Sequence, residues 1–459
     1  MNKNKTKTIF IALFEGVEGK NILRTDILKT LLSEPSSKIV FFTKSQERAE
    51  YHRKEFNNPR MIYEVVEKIQ PKGLDKFFMY LKFYLLRTDT TKFLQKAVLE
   101  DRKNYLRYWT NSFLSWFLAR PFFIKISRFL DYHFVKDDTF GGFFDKHNPD
   151  LVFLANIFEE TETHLLREAK KRKTKTVGLI NSWDRTTGKN VLRLLPDKLI
   201  AFSDLVKNEL VKYQDVKSGS IFVGGIPHYD YHFRAPYLSR RDFFQKIGIP
   251  ENKKLIVFCP IGSQYSDSDW DIFDLLCNLN KEGKFGEDVA ILVRYPPNDF
   301  IEEEEVRKRP HLVYDYPGIR FCQKKKGIDW DMTTEELKHL SDSLHYMALM
   351  VCYSSSISVE AAVCGKPIIN LNFEVKKSES PLKSPIHYYN KLHYKKALGT
   401  GGICLVNSEE EMVKSIKKYL ENPSLDSGQR KILSKQQCWF LDGKSGERIG
   451  KFVLGQMES

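Results

Sequence analysis

The chain has 459 residues, 42% hydrophobic and 29% charged, and its 73 basic and 59 acidic side chains give a net charge of +14. This composition excludes a disordered or collagen-like chain, and the length implies about two to three domains instead of a single core. The excess of base favours an anionic partner: nucleic acid, acidic lipid headgroups or a phosphorylated substrate.

The N-terminus, MNKNKTKTIFIALFEG, starts basic, but its apolar run extends only from Ile9 to Phe14. That is too short for the apolar core of a signal peptide and reads as a first buried strand. No stretch approaches the ~20 uninterrupted apolar residues of a membrane span. TIFIALF is a strand, ILRTDILKTLL a helix and KIVFFT a second strand. Residues 74 to 135 then break the alternation, with no clear strand but many large aromatic and basic side chains, as in GLDKFFMYLKFYLLRT and NSFLSWFLARPFFIKISRFLDYHF. On a helix Phe122, Ile126, Phe129 and Leu130 share a face, with Lys125 and Arg128 to its side. This suits a helix lying on a membrane surface; a helical hairpin packed on the sheet, its bases solvated, accounts for the same pattern.

Strands resume with DLVFLA, TKTVGLI, KLIAFS and SIFVGGIP, separated by the helices HLLREAKKR and DLVKNELVKY. Such alternation predicts a parallel sheet covered on both faces. A polar, aromatic-rich linker, HYDYHFRAPYLSRRDFF, follows Pro227. The pattern then restarts with KLIVFCPI, VAILVRYP, IRFC, LMVCY, PIINLNF and GICLV. The chain therefore reads as two α/β domains, residues 1–230 and 240–435, with a last helix in 436–459. All seven cysteines lie between Cys259 and Cys438, odd in number and without a C-x-x-C pair. They read as free thiols in a reducing cytoplasm.

YSSSISVEAAVCGKPIIN carries the most specific chemistry. LMVCY is a buried strand, SISVEAAVC has helix propensity, and Gly365 is a helix stop. Ser354, Ser355 and Ser356 thus stand where a strand ends and a helix begins, the place where open α/β sheets bind ligands and where unpaired N–H groups suit a phosphate. Glu360, one turn in, is placed to accept hydrogen bonds from sugar hydroxyls. Helix capping would account for one serine but not for three. Two other strand ends offer anion-compatible groups: Gly262 and Ser263 after KLIVFCPI, and Arg294 at the end of VAILVR.

The order of these motifs, with LDGKSGERI near the C-terminus and LINSWDRTTGKN, LLPDKLIAFSDLVKNEL and VGGIPHYD in the first half, resembles GT-B glycosyltransferases of bacterial surface-carbohydrate biosynthesis. Their clan is shared with CDP-glycerol glycerophosphotransferases and UDP-N-acetylglucosamine 2-epimerases. The resemblance spans residues 145 to 455 and covers the first 140 only in outline. It implies two Rossmann-like domains with parallel sheets facing across a cleft, the last helix crossing back to the first domain. It also implies a nucleotide-sugar donor on the C-terminal domain, with Ser354 to Ser356 and Glu360 at donor phosphate and ribose. The acceptor would be a glycan or a lipid-linked chain, the setting the cytoplasmic face of the membrane, peripherally bound to its anionic surface. No cofactor is implied beyond the nucleotide-sugar substrate, and positive potential would hold the diphosphate without a metal.

The sequence departs from both relatives. The glycerophosphotransferases usually carry Trp-His-Gly-Thr where this chain has Ser182-Trp183-Asp184-Arg185-Thr186, and the epimerases His-Gly-Asp-Thr where it has Asn156-Ile157-Phe158-Glu159-Glu160. The paired glutamates of many retaining GT-B enzymes are absent, since Cys352 stands at that spacing before Glu360; inversion is expected. An inverting transfer needs a base for the acceptor hydroxyl. Asp184 is the first candidate and Glu159 the second, although either could cap a helix. Asp267-Ser268-Asp269 and Asp329-Trp330-Asp331 match a metal pattern of another fold; the first reads better as a helix cap. His228 to His232 reads as linker instead of a zinc site. With neither a stacked-aromatic RNA motif nor a Walker loop, nucleic-acid binding is not expected.

Overall fold

The computed structural model describes residues 6–300, 302–310, 312–321 and 329–458. They form two compact units. The first runs to Gln95, resumes over Tyr105–His228 and takes in the chain from Cys438 onward; the second comprises Lys96–Asn104 and Tyr229–Gln437.

The first unit is built on seven parallel strands in the order β3-β2-β1-β4-β5-β6-β7. These are β1 (Lys7–Leu13), β2 (Ser37–Thr43), β3 (Met61–Val65), β4 (Leu151–Leu154), β5 (Lys175–Leu179), β6 (Lys198–Ala201) and β7 (Ile221–Val223). The central strands are apolar throughout, IFIAL in β1 and LVFL in β4, because helices cover both faces of the sheet. β3, on one edge, is not among the strands expected from sequence: its alternation of buried and part-buried residues spans only MIYEV. ILRTDILKTLL is not one helix either. Gly19–Leu23 winds as a π-helical turn, and Thr25 then accepts a hydrogen bond from the Ile27 N–H to start helix α1 (Asp26–Ser33) afresh.

Residues 74 to 135 are helical, as α2 (Gly73–Tyr84), α3 (Asp89–Arg102), α4 (Tyr105–Leu118) and α5 (Pro121–Phe134). α2, α4 and α5 bury a small apolar cluster around Leu85, Leu86, Ile124 and Val191. They are tied to α6 (Glu160–Lys171) and the chain before β6 by buried charges. Arg193 pairs with Asp131 at 2.7 Å, with Asp75 at 2.7 Å and with Glu160 at 2.6 Å; Arg167 pairs with the same Asp131 at 2.6 Å. Lys82 also reaches Glu160.

The second unit has six parallel strands in the order β10-β9-β8-β13-β14-β15 and a separate two-stranded ribbon, β11-β12. Its strands are β8 (Lys254–Cys259), β9 (Val289–Arg294), β10 (Val313–Asp315), β11 (Ile319–Arg320), β12 (Trp330–Asp331), β13 (Leu349–Cys352), β14 (Ile368–Leu371) and β15 (Cys404–Val406). IRFC is thus not a strand of the main sheet. Its first two residues pair antiparallel with β12, and β10 takes the sheet position. Arg320 holds the ribbon there, its guanidinium 3.8 Å from the Tyr316 ring centroid and its Nε donating to the Asp299 carbonyl. Cys322 lies outside the described residues; the other six cysteines are free thiols. Helix α7 (Asp269–Lys281) follows β8, and α8 (Ile357–Val363) follows β13.

The last helix, α9 (Ser445–Gln456), packs on α1 in the first unit. Two glycines permit this approach: a Cβ on Gly446 would lie 2.9 Å from the Asp26 nitrogen, and one on Gly450 2.6 Å from the Thr30 Cβ. Phe452 stacks on Phe222 of β7, ring centroids 4.1 Å apart.

Candidate functional site

In the second unit, strand order runs outward from β8 through β9 to β10 and from β13 through β14 to β15. The reversal falls between β8 and β13, and open parallel sheets bind ligands beyond the carboxyl ends of such a pair. Gly262 and Ser263 follow β8; Ser354, Ser355 and Ser356 follow β13. The topology brings these residues to one end of the sheet.

The loop after β8 is wrapped around carboxylates. Gly262, at φ +95°, donates its N–H to Asp269 at 3.0 Å. Ser263 grips Asp299 with two bonds of 2.7 Å, N–H to one oxygen and Oγ–H to the other. Burial raises the Asp269 carboxyl to about 7, against the pull of the Gly262 N–H. Lys383 donates to the Ser263 carbonyl and pairs with Asp267 at 3.4 Å. Asp269, in the first turn of α7, therefore acts through its side chain on the loop.

The three serines differ from one another. The Ser354 hydroxyl oxygen is buried with no hydrogen-bond partner among the described residues. The Ser355 hydroxyl accepts a long contact of 3.5 Å from the Ile357 N–H. Ser356 is exposed and starts α8 without a side-chain cap. Beneath them Ser358 meets the Tyr394 hydroxyl at 3.0 Å and Asn370 at 3.3 Å, which fixes the turn on the sheet.

Glu360 is buried, with one carboxylate oxygen 3.1 Å from His232 Nε2; the other ring nitrogen lies 2.9 Å from Ser341 Oγ. The segment expected as linker, a 3-10 helix over Pro227–Phe233, thereby supplies a partner to the expected ribose ligand. Arg294, expected as a phosphate ligand, already has a carboxylate partner. It is 4% exposed and ion-paired with Asp315, its register partner on β10, which also faces His339 at 3.3 Å. β9 lies one strand removed from the reversal, so its end looks onto β10. The two bases hold the Asp315 carboxyl down near 2 against its burial.

In the first unit the reversal lies between β1 and β4, and it is lined by acids. Glu15 and Glu18 follow β1; Asn156, Glu159 and Glu162 follow β4. Glu18 accepts from the Glu15 N–H at 2.7 Å and from Asn156 Nδ2 at 3.0 Å, while both Glu162 oxygens accept from the Asn156 N–H at 3.0 Å. Burial pushes the Glu18 carboxyl up to about 8 and Glu162 well above the carboxylate range, each reinforced by neighbouring acids. Asn181, after β5, is buried with neither side-chain amide atom partnered among the described residues, and Asn156 Oδ1 is unpartnered as well.

Of the two base candidates, Glu159 is committed twice: it caps α6 by accepting from the Thr161 N–H at 2.6 Å, and it pairs with Lys68 at 2.6 Å. Lys68 also reaches Glu15 at 3.4 Å. Asp184 is half-buried, accepts from the Ser182 hydroxyl at 2.6 Å, and makes no capping bond at the head of Arg185–Gly188. Glu15, Glu18, Glu162 and Lys68 are not among the candidates that the sequence suggests. The two acids of FEGVEG, directly after the first strand, are the signal that points to this site. Among the described residues no group of three or more His, Cys, Asp or Glu side chains is arranged to hold a metal ion.

Two parallel-sheet units, each with polar groups gathered where its strand order reverses, define a GT-B protein. Comparison with solved structures agrees. A UDP-GlcNAc 2-epimerase from Neisseria meningitidis bound to UDP-GlcNAc superposes with TM-score 0.56 at 13% identity, over 98% of this chain and 100% of the other. A putative UDP-N-acetylglucosamine 2-epimerase from Listeria monocytogenes gives 0.53 at 13% identity, over 99% and 96%. The wall teichoic acid polymerase TagF, in a structure with CDPG, gives 0.50 at 10% identity, over 100% and 90%. At such identities these likenesses establish the fold alone. Residues 168–455, more than half of the chain, match the family model of CDP-glycerol:poly(glycerophosphate) glycerophosphotransferases, and the chain belongs to that family. No curated protein sequence matches it.

Proposed function

We propose that the protein is a transferase that moves a sugar from a nucleoside-diphosphate-sugar donor to a glycan or lipid-linked acceptor in cell-surface polymer synthesis. The observation that carries this reading is the serine turn at the strand-order reversal of the second unit. There a buried hydroxyl, that of Ser354, lacks a partner among the described residues, and a buried polar group without one is costly. A donor phosphate oxygen would supply it. Ser355, Ser356 and the Gly262–Ser263 loop would take the remaining phosphate oxygens, Ser263 exchanging Asp299 for the ligand. Glu360, oriented by His232, would accept a ribose hydroxyl.

In this reading the acceptor hydroxyl attacks the anomeric carbon as Asp184 takes its proton. The bond from that carbon to the diphosphate breaks with inversion, and the nucleoside diphosphate leaves with the electron pair. Hydroxyl and backbone N–H donors, with no metal, stabilise the charge that develops on it. A carboxylate at position 184 suits this chemistry, because the Trp-His-Gly-Thr histidine usual in the family is replaced here. A second reading, transfer of a polyol phosphate from a CDP-linked donor, is favoured by the family match over residues 168–455; attack then falls on phosphorus, with the same donor turn and CMP as leaving group.

A thermal-shift screen against UDP, GDP, CDP, CMP and their sugar and polyol conjugates tests both. Stabilisation by one nucleotide, lost in Ser354→Ala, supports the donor turn. Product analysis with the stabilising donor then separates a released diphosphate from released CMP. Asp184→Asn should keep the shift and lose turnover by about 10²–10⁴-fold. No shift at millimolar nucleotide would refute the assignment and return the serines to a structural turn.

A further inference from the structure

The strand-order reversal of the first unit holds a set of buried amides that the donor turn does not use. Asn21 lies on the π-helical turn after β1, Asn156 just after β4 and Asn181 just after β5. None is more than 4% exposed. Oδ1 of all three, and Nδ2 of Asn181, have no hydrogen-bond partner among the described residues. The remaining two amide nitrogens are committed, Asn21 Nδ2 to the Asn181 carbonyl at 3.5 Å and Asn156 Nδ2 to Glu18 at 3.0 Å. A bare buried amide atom is costly. Four of them at the carboxyl ends of adjacent strands, where open parallel sheets take ligands, call for a common partner. We propose that these asparagines bind an uncharged, hydroxyl-rich ring of the sugar type, at a site that rejects phosphorylated groups. As the seat of the acceptor this site rests on the transferase reading; as a saccharide site it stands on the asparagines alone.

The unmatched atoms set the chemistry of the ligand. Three of them accept hydrogen bonds and one donates, so the ligand must mostly donate while also accepting. A sugar hydroxyl does both. A phosphate oxygen of a diester only accepts, and an ammonium only donates.

Charge points the same way. Glu18 and Glu162 hold their protons at neutral pH, because burial and neighbouring acids oppose ionisation. Glu159 pairs with Lys68 at 2.6 Å, and Glu15 lies 3.4 Å from Lys68 and 3.6 Å from Lys44. Each of these acids is thus protonated or paired, and both lysines are engaged. A phosphate would enter beside carboxylates without a counter-charge of its own, whereas a neutral ring meets no such penalty. Glu15 and Lys68 form the part-exposed rim, their side chains 24% and 47% accessible. Poly(glycerophosphate), the polymer from which the family takes its name, carries the very group this site disfavours. The chain departs from its family here, as it does at the missing Trp-His-Gly-Thr histidine.

The test is saturation-transfer NMR on the full chain at neutral pH. The probes are the methyl glycosides of glucose, galactose, mannose and N-acetylglucosamine, with glucosamine, glucose 6-phosphate and glycerol 3-phosphate beside them. At least one glycoside should bind with a millimolar dissociation constant, and the phosphorylated probes should bind about 10-fold more weakly or not at all. Asn181→Leu should weaken the glycoside by about 10-fold or more, the worth of one to two neutral hydrogen bonds. It should do so without lowering the melting temperature, because it removes two amide atoms that have no partner among the described residues. An asparagine with a purely structural role would destabilise the fold when replaced. Asn181→Ser, which is smaller, gives the same binding readout if leucine prevents folding. Failure of every glycoside to bind would overturn the proposal and assign the amides to ordered water. Tighter binding of a phosphate or of glucosamine, or unchanged binding in Asn181→Leu, would overturn it as well. Nucleotide-induced thermal shifts in the same samples keep the two readings apart. A shift without glycoside binding overturns this site and spares the transferase, whereas glycoside binding without a shift supports the site and refutes the transferase.

Discussion

Glu18→Gln should remove a strong pH dependence from the first unit's stability. In the folded unit the Glu18 carboxyl holds its proton to about 8, against an ordinary value of 4.5, and burial is the largest cause. The unfolded chain releases that proton near 4.5. Between those limits the folded state carries one more proton than the unfolded state, so stability falls as pH rises, by about 1.4 kcal/mol per pH unit. Across the whole window the loss is on the order of 5 kcal/mol, most of a small domain's net stability. Glutamine has no proton to lose and keeps the shape, its oxygen still able to accept from Asn156 or from the Glu15 N–H. Denaturant unfolding of the wild type and the variant, followed at pH 5, 6, 7, 8 and 9, reads the difference. The wild-type midpoint should fall relative to the variant's from pH 5 to about pH 8 and level off by pH 9, leaving the variant the more stable there. Parallel pH profiles would refute the reasoning: the pair with Glu162 would then be ionised in the fold, or solvated.

Asp131→Asn removes the carboxylate shared by Arg193 and Arg167, both buried. Leaving them short of counter-charge should cost about 3–5 kcal/mol, seen as a lower urea midpoint. Arg294→Leu should lower the melting temperature through the stranded Asp315 yet leave any nucleotide-induced thermal shift intact; loss of that shift would restore Arg294 as a phosphate ligand. Gly225 sits at φ +90°, where a Cβ would collide with Ser445. Gly225→Ala should therefore destabilise the first unit by more than the ~1 kcal/mol of an ordinary glycine replacement, and limited proteolysis should then release α9.

Much of the architecture is written in local pattern. The buried strands are uninterrupted runs of β-branched and aromatic residues, and each is followed by the polar turn that positions function, so pattern alone is enough to put YSSSIS at a strand end. What escapes local pattern depends on contacts distant in sequence. Arg294 looks like an anion ligand until β10 sets Asp315 beside it in register. Glu18 and Glu162 are separated by most of the first unit's chain and acquire shifted proton affinities only once folding buries them together. The aromatic helices show the opposite limit. Their periodicity is plain, but which face is outermost depends on where Asp75 and Asp131 find their arginines.

The fit of α9 on α1 has a consequence for the order of synthesis. Every strand of both sheets lies before Gln437, yet the face of α1 at Asp26 and Thr30 meets Gly446 and Gly450 only when α9 arrives, long after β7. A ribosome can finish the second unit while the first still lacks the helix that packs on α1. The first unit is then the one that waits, and a chain released early would carry an open flank that chaperones or proteases could recognise.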